Sequence, residues 1–146
     1  MKDAQNAVKQ FQEKFGHPVA KRLGLSDCDA AFRVRLIAEE LAELADALAV
    51  RASFDVHCHG QYVVFETSNE IVPNVIDAAD AIADLLYVIL GTAVELGIDA
   101  EKVFNEVHRS NMTKSEPTEG NKKPHKGCDY SPPDIKGVLF PGSTVE

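Results

Sequence analysis

Asp77–Leu96 reads DAADAIADLLYVILGTAVEL. Asp77, Asp80 and Asp84 are spaced by three and four, which lines them up on one narrow stripe of a helix. Ile82, Leu85, Leu86, Val88, Ile89, Leu90 and Val94 cover the other directions, and a helix apolar nearly all round is expected to be buried. Carboxylates along a buried helix repel one another and lose their hydration, so they need a counter-charge.

A second acidic row indicates what that counter-charge is. Ile37–Leu48 reads IAEELAELADAL, with Ile37, Leu41, Leu44 and Leu48 on one face. Glu39, Glu43 and Asp46 lie opposite, and Glu40 sits at the boundary. Alone, this stripe reads as the solvated side of an amphipathic helix. Taken with the aspartates, it predicts two carboxylate rows facing each other across divalent cations, as in the interiors of helical bundles. Carboxylate oxygen without His or Cys in register suits Mg²⁺ or Mn²⁺ rather than zinc. Magnesium held this way completes its shell with water and substrate phosphates, and a water between two such ions is an activated nucleophile. The residues alone point to a helical, metal-dependent enzyme acting on phosphate esters or anhydrides.

The rest of the chain frames these two helices. Ala4, Val8, Phe11 and Phe15 predict a first helix, stopped by Gly16 and Pro18. Ser26 with Asp29 resembles a capping box, opening the helix that carries the glutamates and runs to about Val50. FDVHCHGQYVVFE, rich in β-branched and aromatic residues, predicts a short β-hairpin between the two long helices. Gly97 ends the aspartate helix, and Asp99 caps a fourth helix through AEKVFNEVHRSN. Beyond Lys114 an irregular tail begins, and Ile135, Val138, Leu139 and Phe140 suggest that it docks again. The expected architecture is all-α: one domain over 1–146, a helical core of four main helices over 1–114, a hairpin insert at about 53–67 and a docking tail over 115–146.

Composition narrows the class further. At 146 residues, 45% hydrophobic and 26% charged, the chain reads as an ordinary soluble globular protein with a small core. A net charge of -8 leaves no basic face for general nucleic-acid binding. The uncharged apolar run between Asp84 and Glu95 is too short to span a bilayer. Cys28, Cys58 and Cys128 are widely spaced and odd in number, which fits a reducing cytoplasm better than a disulfide framework. In His57–Cys58–His59 alternate residues of a strand point opposite ways, so the trio is a poor zinc site. His17 and His108 read as surface or capping groups.

EELAE, then DAADAIADLLYVILGTAVELGID, then VFNEVHRSNMTK resembles the MazG-like all-α nucleoside triphosphate pyrophosphohydrolases. The likeness is strongest to the branch holding dUTPase-like and phosphoribosyl-ATP-pyrophosphohydrolase-like proteins, and YSPPDIKGVL matches more weakly. The resemblance implies a helical bundle, a homodimer or higher oligomer, and two or three Mg²⁺ (or Mn²⁺) ions per site. It implies hydrolysis of a (deoxy)nucleoside triphosphate to the monophosphate and pyrophosphate. The family's EExxE falls on Glu39, Glu40 and Glu43. Its second acidic pair places Asp84 on the family Asp, while the preceding Glu position holds Ala81. Asp80 and Asp84 are therefore the first choice of ligands there, with Asp77 third. Glu40 or Glu39 would orient or deprotonate the attacking water. Asn111, expected to point inward beside Phe104 and Val107, would contact substrate, and Lys114 would lie near its phosphates. The tail lysines Lys122, Lys123 and Lys126 read first as solvated loop residues and second as phosphate clamps, and Tyr87 is either core or a wall for the base.

Two other readings stay open. A non-catalytic acidic dimerisation or adaptor module would pair the aspartates with basic residues of a partner. A related hydrolase would act on phosphoribosyl-ATP instead of a simple nucleotide. The base leaves no motif in the sequence.

Overall fold

A computed structural model of the chain describes residues 1–25, 28–57, 60–67, 72–118, 120 and 122–142, and the backbone alone for 51–57 and 60–67. Among the described residues the chain is mostly helical, with five helices: α1 (Lys2–Phe15), α2 (Ala30–Ala47), α3 (Val75–Leu96), α4 (Ala100–Asn111) and α5 (Ile135–Leu139). Between α2 and α3, β1 (Val50–His57) runs antiparallel to β2 (Gly60–Thr67), in a register from Val50 opposite Thr67 to His57 opposite Gly60. Among the described residues no single helix is long and apolar enough to cross a membrane. The chain divides into two compact units, 25–92 and the pair of segments 1–24 and 93–146.

The unit built from both chain ends centres on α1. Val8 and Gln12 are its buried residues, whereas Phe11 and Phe15 are 42% and 56% exposed. The two rings pack on each other at 4.6 Å, and the Lys14 ammonium sits over Phe15. Gln12 instead faces inward, donating to the Pro18 carbonyl and to Glu95 Oε1, both at 3.2 Å. Gln5 ties α1 to the turn before α4, donating to the Ile98 carbonyl at 2.6 Å and accepting from the Ala100 N–H at 3.1 Å. Gly97 makes that turn with φ +69°, and a Cβ there would stand 2.8 Å from the Arg22 carbonyl oxygen, so the position excludes larger residues twice over. Asp99 accepts from the Lys102 N–H at 3.1 Å and caps α4.

The tail docks on α4 and carries a short helix of its own, where irregular chain was expected. Glu106 accepts from the Asp134 N–H at 2.7 Å, and Arg109 donates to the Pro132 carbonyl at 2.9 Å. Asp134 in turn accepts from the Gly137 N–H at 2.8 Å and starts α5. An antiparallel bridge between Ser115 and His125 closes the loop that precedes it.

In the unit 25–92, α2 and α3 pair antiparallel. Arg33, near the start of α2, donates to the Val88 carbonyl at 2.7 Å and to Thr92 Oγ1 at 3.2 Å. At the other end the Asn74 N–H donates to the Ala47 carbonyl at 2.9 Å. Asp29 itself caps α2, accepting from the Phe32 N–H at 3.1 Å, and Ser26 lies outside the described residues. The helix ends at Ala47 rather than near Val50 because Ala49 takes a left-handed φ of 57°. Helix α3 is not buried all round. Ala78, Ala81 and Leu90 are buried, but Ile82, Leu86 and Ile89 are 55%, 45% and 45% exposed. Partner helix α2 covers one side only, and the remaining apolar side of α3 faces outward in the single chain.

Candidate active site

The antiparallel pairing sets the acidic stretch of α2 against the acidic stretch of α3, between the Arg33 anchor and the Asn74 anchor. Glu40 is where the two rows meet. Its side chain is half-buried, and its carboxyl is held above the ordinary glutamate range by burial first, then by Glu43, Asp84, Glu39 and Asp80 in turn. Two of those carboxylates belong to its own helix and two come from α3. A proton is retained more readily there because every neighbour carries the same charge.

The other acidic residues stand on the open surface. Glu39, Glu43, Asp77, Asp80 and Asp84 are all exposed, which corrects the expectation that a buried α3 desolvates its aspartates. Glu39 pairs with Arg35 Nε at 3.4 Å, an exposed i,i+4 contact worth a few tenths of a kcal/mol, about 0.3–0.5. Asp77 accepts from Asn74 Nδ2 at 2.7 Å in the first turn of α3, and it is absent from the groups that act on Glu40. Glu43, Asp84, Glu39 and Asp80 are the carboxylates whose charge acts on Glu40, two from each helix. Among the described residues no group of three His, Cys, Asp or Glu side chains is placed to hold a metal ion. An all-oxygen, solvent-open donor set still fits a hydrated magnesium ion, which one or two carboxylates hold while substrate phosphates and water complete its shell.

Tyr87, one turn beyond Asp84, is 37% exposed and so is not a core residue. Asn111, Lys114 and Lys123 belong to the other unit. Asn111 is exposed, against the inward orientation expected of it. Phe104 and Val107 on the same face are 54% and 36% exposed, and the inward residue of α4 is Ser110 at 2%. Asn111 contributes its carbonyl to the Lys114 N–H at 3.2 Å, while Lys114 is half-buried and Lys123 exposed. The side chains of His57, Cys58 and His59 lie outside the described residues. His17 stacks on Phe11 and His108 on Phe104, with centroids 6.2 and 6.3 Å apart.

The family profile described as phosphoribosyl-ATP pyrophosphohydrolase matches residues 8–111, well over half of the chain. The chain belongs to the phosphoribosyl-ATP pyrophosphohydrolase family. This family is a branch of the MazG-like all-α nucleoside triphosphate pyrophosphohydrolases. The match contains both acidic rows and Asn111, and it stops before Lys114 and Lys123. No individual curated protein matches the chain. Membership of the phosphoribosyl-ATP pyrophosphohydrolase family supports a pyrophosphohydrolase acting on a nucleotide-like substrate.

One residue of the helix pair carried no motif. Arg33 is 6% exposed and bonds across to α3 on the same seam as Glu40. Its sequence signal was position, an arginine one turn before Ile37 on the apolar side of α2.

Proposed function

We propose that the chain is a divalent-metal-dependent pyrophosphohydrolase that cleaves the triphosphate of a nucleotide to a monophosphate and pyrophosphate. The observation that carries this reading is the antiparallel pairing of α2 and α3, which puts the acidic stretches of both helices between the Arg33 and Asn74 anchors. Glu39, Glu43, Asp80 and Asp84 would hold two or three Mg²⁺ or Mn²⁺ ions, with Asp77 at the margin. Such ions would neutralise the triphosphate and acidify the attacking water. Glu40 would receive the proton of the attacking water as the water oxygen bonds to phosphorus. The breaking P–O bond leaves its electron pair on the departing phosphate oxygen. Tyr87, one turn beyond Asp84, would wall the base. Asn111, Lys114 and Lys123 are proposed substrate contacts on the family resemblance alone.

The substrate is a (deoxy)nucleoside triphosphate of the cytoplasmic pool, dUTP first. Phosphoribosyl-ATP is the second reading, favoured by the family match itself. Both carry the same triphosphate, so one assay separates them. Pyrophosphate release is measured from dUTP, the other dNTPs and phosphoribosyl-ATP, with and without Mg²⁺. Release from a dNTP that needs Mg²⁺ supports the first reading, and release from phosphoribosyl-ATP alone replaces it with the second. No release from any of them refutes the enzyme.

The working form is a homodimer or higher homo-oligomer. Ile82, Leu86 and Ile89 present an apolar stripe at helical spacing, and Val75 and Ile76 extend it at 82% and 76% exposure.

A further inference from the structure

We infer that Arg33 is a positioning residue for the acidic site, seated at Gly91 so that α2 presents Glu40 to Asp80 and Asp84 in one register. The inference rests on the metal-dependent reading above. The Arg33 guanidinium is buried at 6% exposure and donates across the helix pair to the Val88 carbonyl and to Thr92 Oγ1. Thr92 Oγ1 donates to the same Val88 carbonyl at 2.9 Å, so both acceptors are held as one unit. A Cβ at Gly91 would collide with Arg33 Nη2. Glycine is unfavourable inside a helix, and here the space it leaves is filled by the guanidinium.

The anchor and the acidic site share a seam. Glu40 lies two turns from Arg33 on one face of α2, and Asp84 lies one turn from Val88 on the facing side of α3. Apolar contacts along that seam tolerate sliding, because burial has no direction. A forked guanidinium with two fixed acceptors does not, since its donors meet them in a single register. Like charges on Glu40, Asp80 and Asp84 repel, and the acidic stretch lies between two cross-helix bonds, Arg33 to the Val88 carbonyl at one end and the Asn74 N–H to the Ala47 carbonyl at the other. A buried charge is a poor source of net stability, and an apolar side chain of similar volume often serves as well. Register, rather than stability, is what arginine supplies here.

The test uses the full-length chain with R33M, R33K, R33A, G91A and R33A/G91A. Mn²⁺ affinity is read from the electron paramagnetic resonance of free Mn²⁺, and apo stability from the melting temperature. R33M should melt at or above the wild-type temperature yet bind Mn²⁺ at least tenfold more weakly, with R33K between the two. G91A should weaken Mn²⁺ binding although it raises helix propensity, and R33A/G91A should bind no worse than R33A. A purely structural arginine would move the melting temperature and leave the affinity of the folded protein unchanged. Tight Mn²⁺ binding by wild type, R33M and G91A alike overturns the inference alone. A wild-type chain that binds no Mn²⁺ overturns the metal reading and the inference together. Should R33M fail to fold, G91A decides the matter.

Discussion

Glu106 receives a two-pronged hydrogen bond from Arg109, 2.9 Å from Nε and 2.8 Å from Nη2. Glu106 also accepts from the Asp134 N–H, so one carboxylate joins α4 to the start of α5. The Arg109 bonds, then the Asp134 bond, hold its pKa down at about 2 against an ordinary 4.5.

The first prediction follows from the sign of that shift. A depressed folded-state value means that Glu106 stabilises the docked tail fully above about 4.5 and ceases to do so as pH falls through about 2. An NMR titration should find the Glu106 carboxyl carbon changing near pH 2, with the Asp134 amide moving in step. A midpoint near 4.5 would show that the docking is not made by this carboxylate. Glu106→Gln should leave the Asp134 amide indifferent to pH in that range.

Gly97 gives a stability prediction confined to its own unit. Gly97→Ala forces a side chain into a left-handed backbone, costing about 1–2 kcal/mol, and pushes the Cβ against the Arg22 carbonyl. The melting temperature should fall by roughly 3–8 °C, while the response to Mg²⁺ is retained. An unchanged melting temperature would contradict the tight turn.

Glu40 is assigned the proton, so Glu40→Gln should lower kcat by about 10²–10⁴-fold, the usual contribution of a general base. Mn²⁺ affinity should fall far less, because Glu39, Glu43, Asp80 and Asp84 remain. Glu43→Gln and Asp84→Asn should show the reverse emphasis, losing metal first. Near-wild-type activity in all three variants would remove the acidic rows from catalysis.

The exposed stripe on α3 predicts self-association. Light scattering should report at least twice the chain mass of 15.9 kDa at micromolar concentration. Leu86→Asp, which puts a charge into the stripe, should yield monomer. A fully active wild-type monomer would contradict this.

The helices were legible because their signals are local. Gly97 and Asp99 marked a helix end and a helix start, and both act as such. Ala49 was not legible, because a left-handed alanine leaves no glycine signal, and α2 was therefore read too long. Periodicity finds an apolar stripe but not which side a neighbour covers. Hence Asn111 is expected inward where Ser110 lies, and in α1 the buried residue is Gln12 while Phe11 and Phe15 are exposed. For the candidate site, spacing alone brings out both acidic rows, and the pairing of their helices shows only in the cross-helix bonds. Arg33 escaped because a buried guanidinium needs its acceptors to be seen, and those sit on another helix.

Thermal melting with divalent metal tests the central claim that these rows hold a cation. An ion bound only by the folded chain stabilises it by about 2.7 kcal/mol at a hundredfold excess over its dissociation constant. The wild-type melting temperature should rise by several degrees in millimolar Mg²⁺ or micromolar Mn²⁺, and the variant with Glu39, Glu40 and Glu43 all replaced by Gln should not respond. A wild-type melting curve indifferent to both metals would return the glutamates and aspartates to the role of a solvated surface.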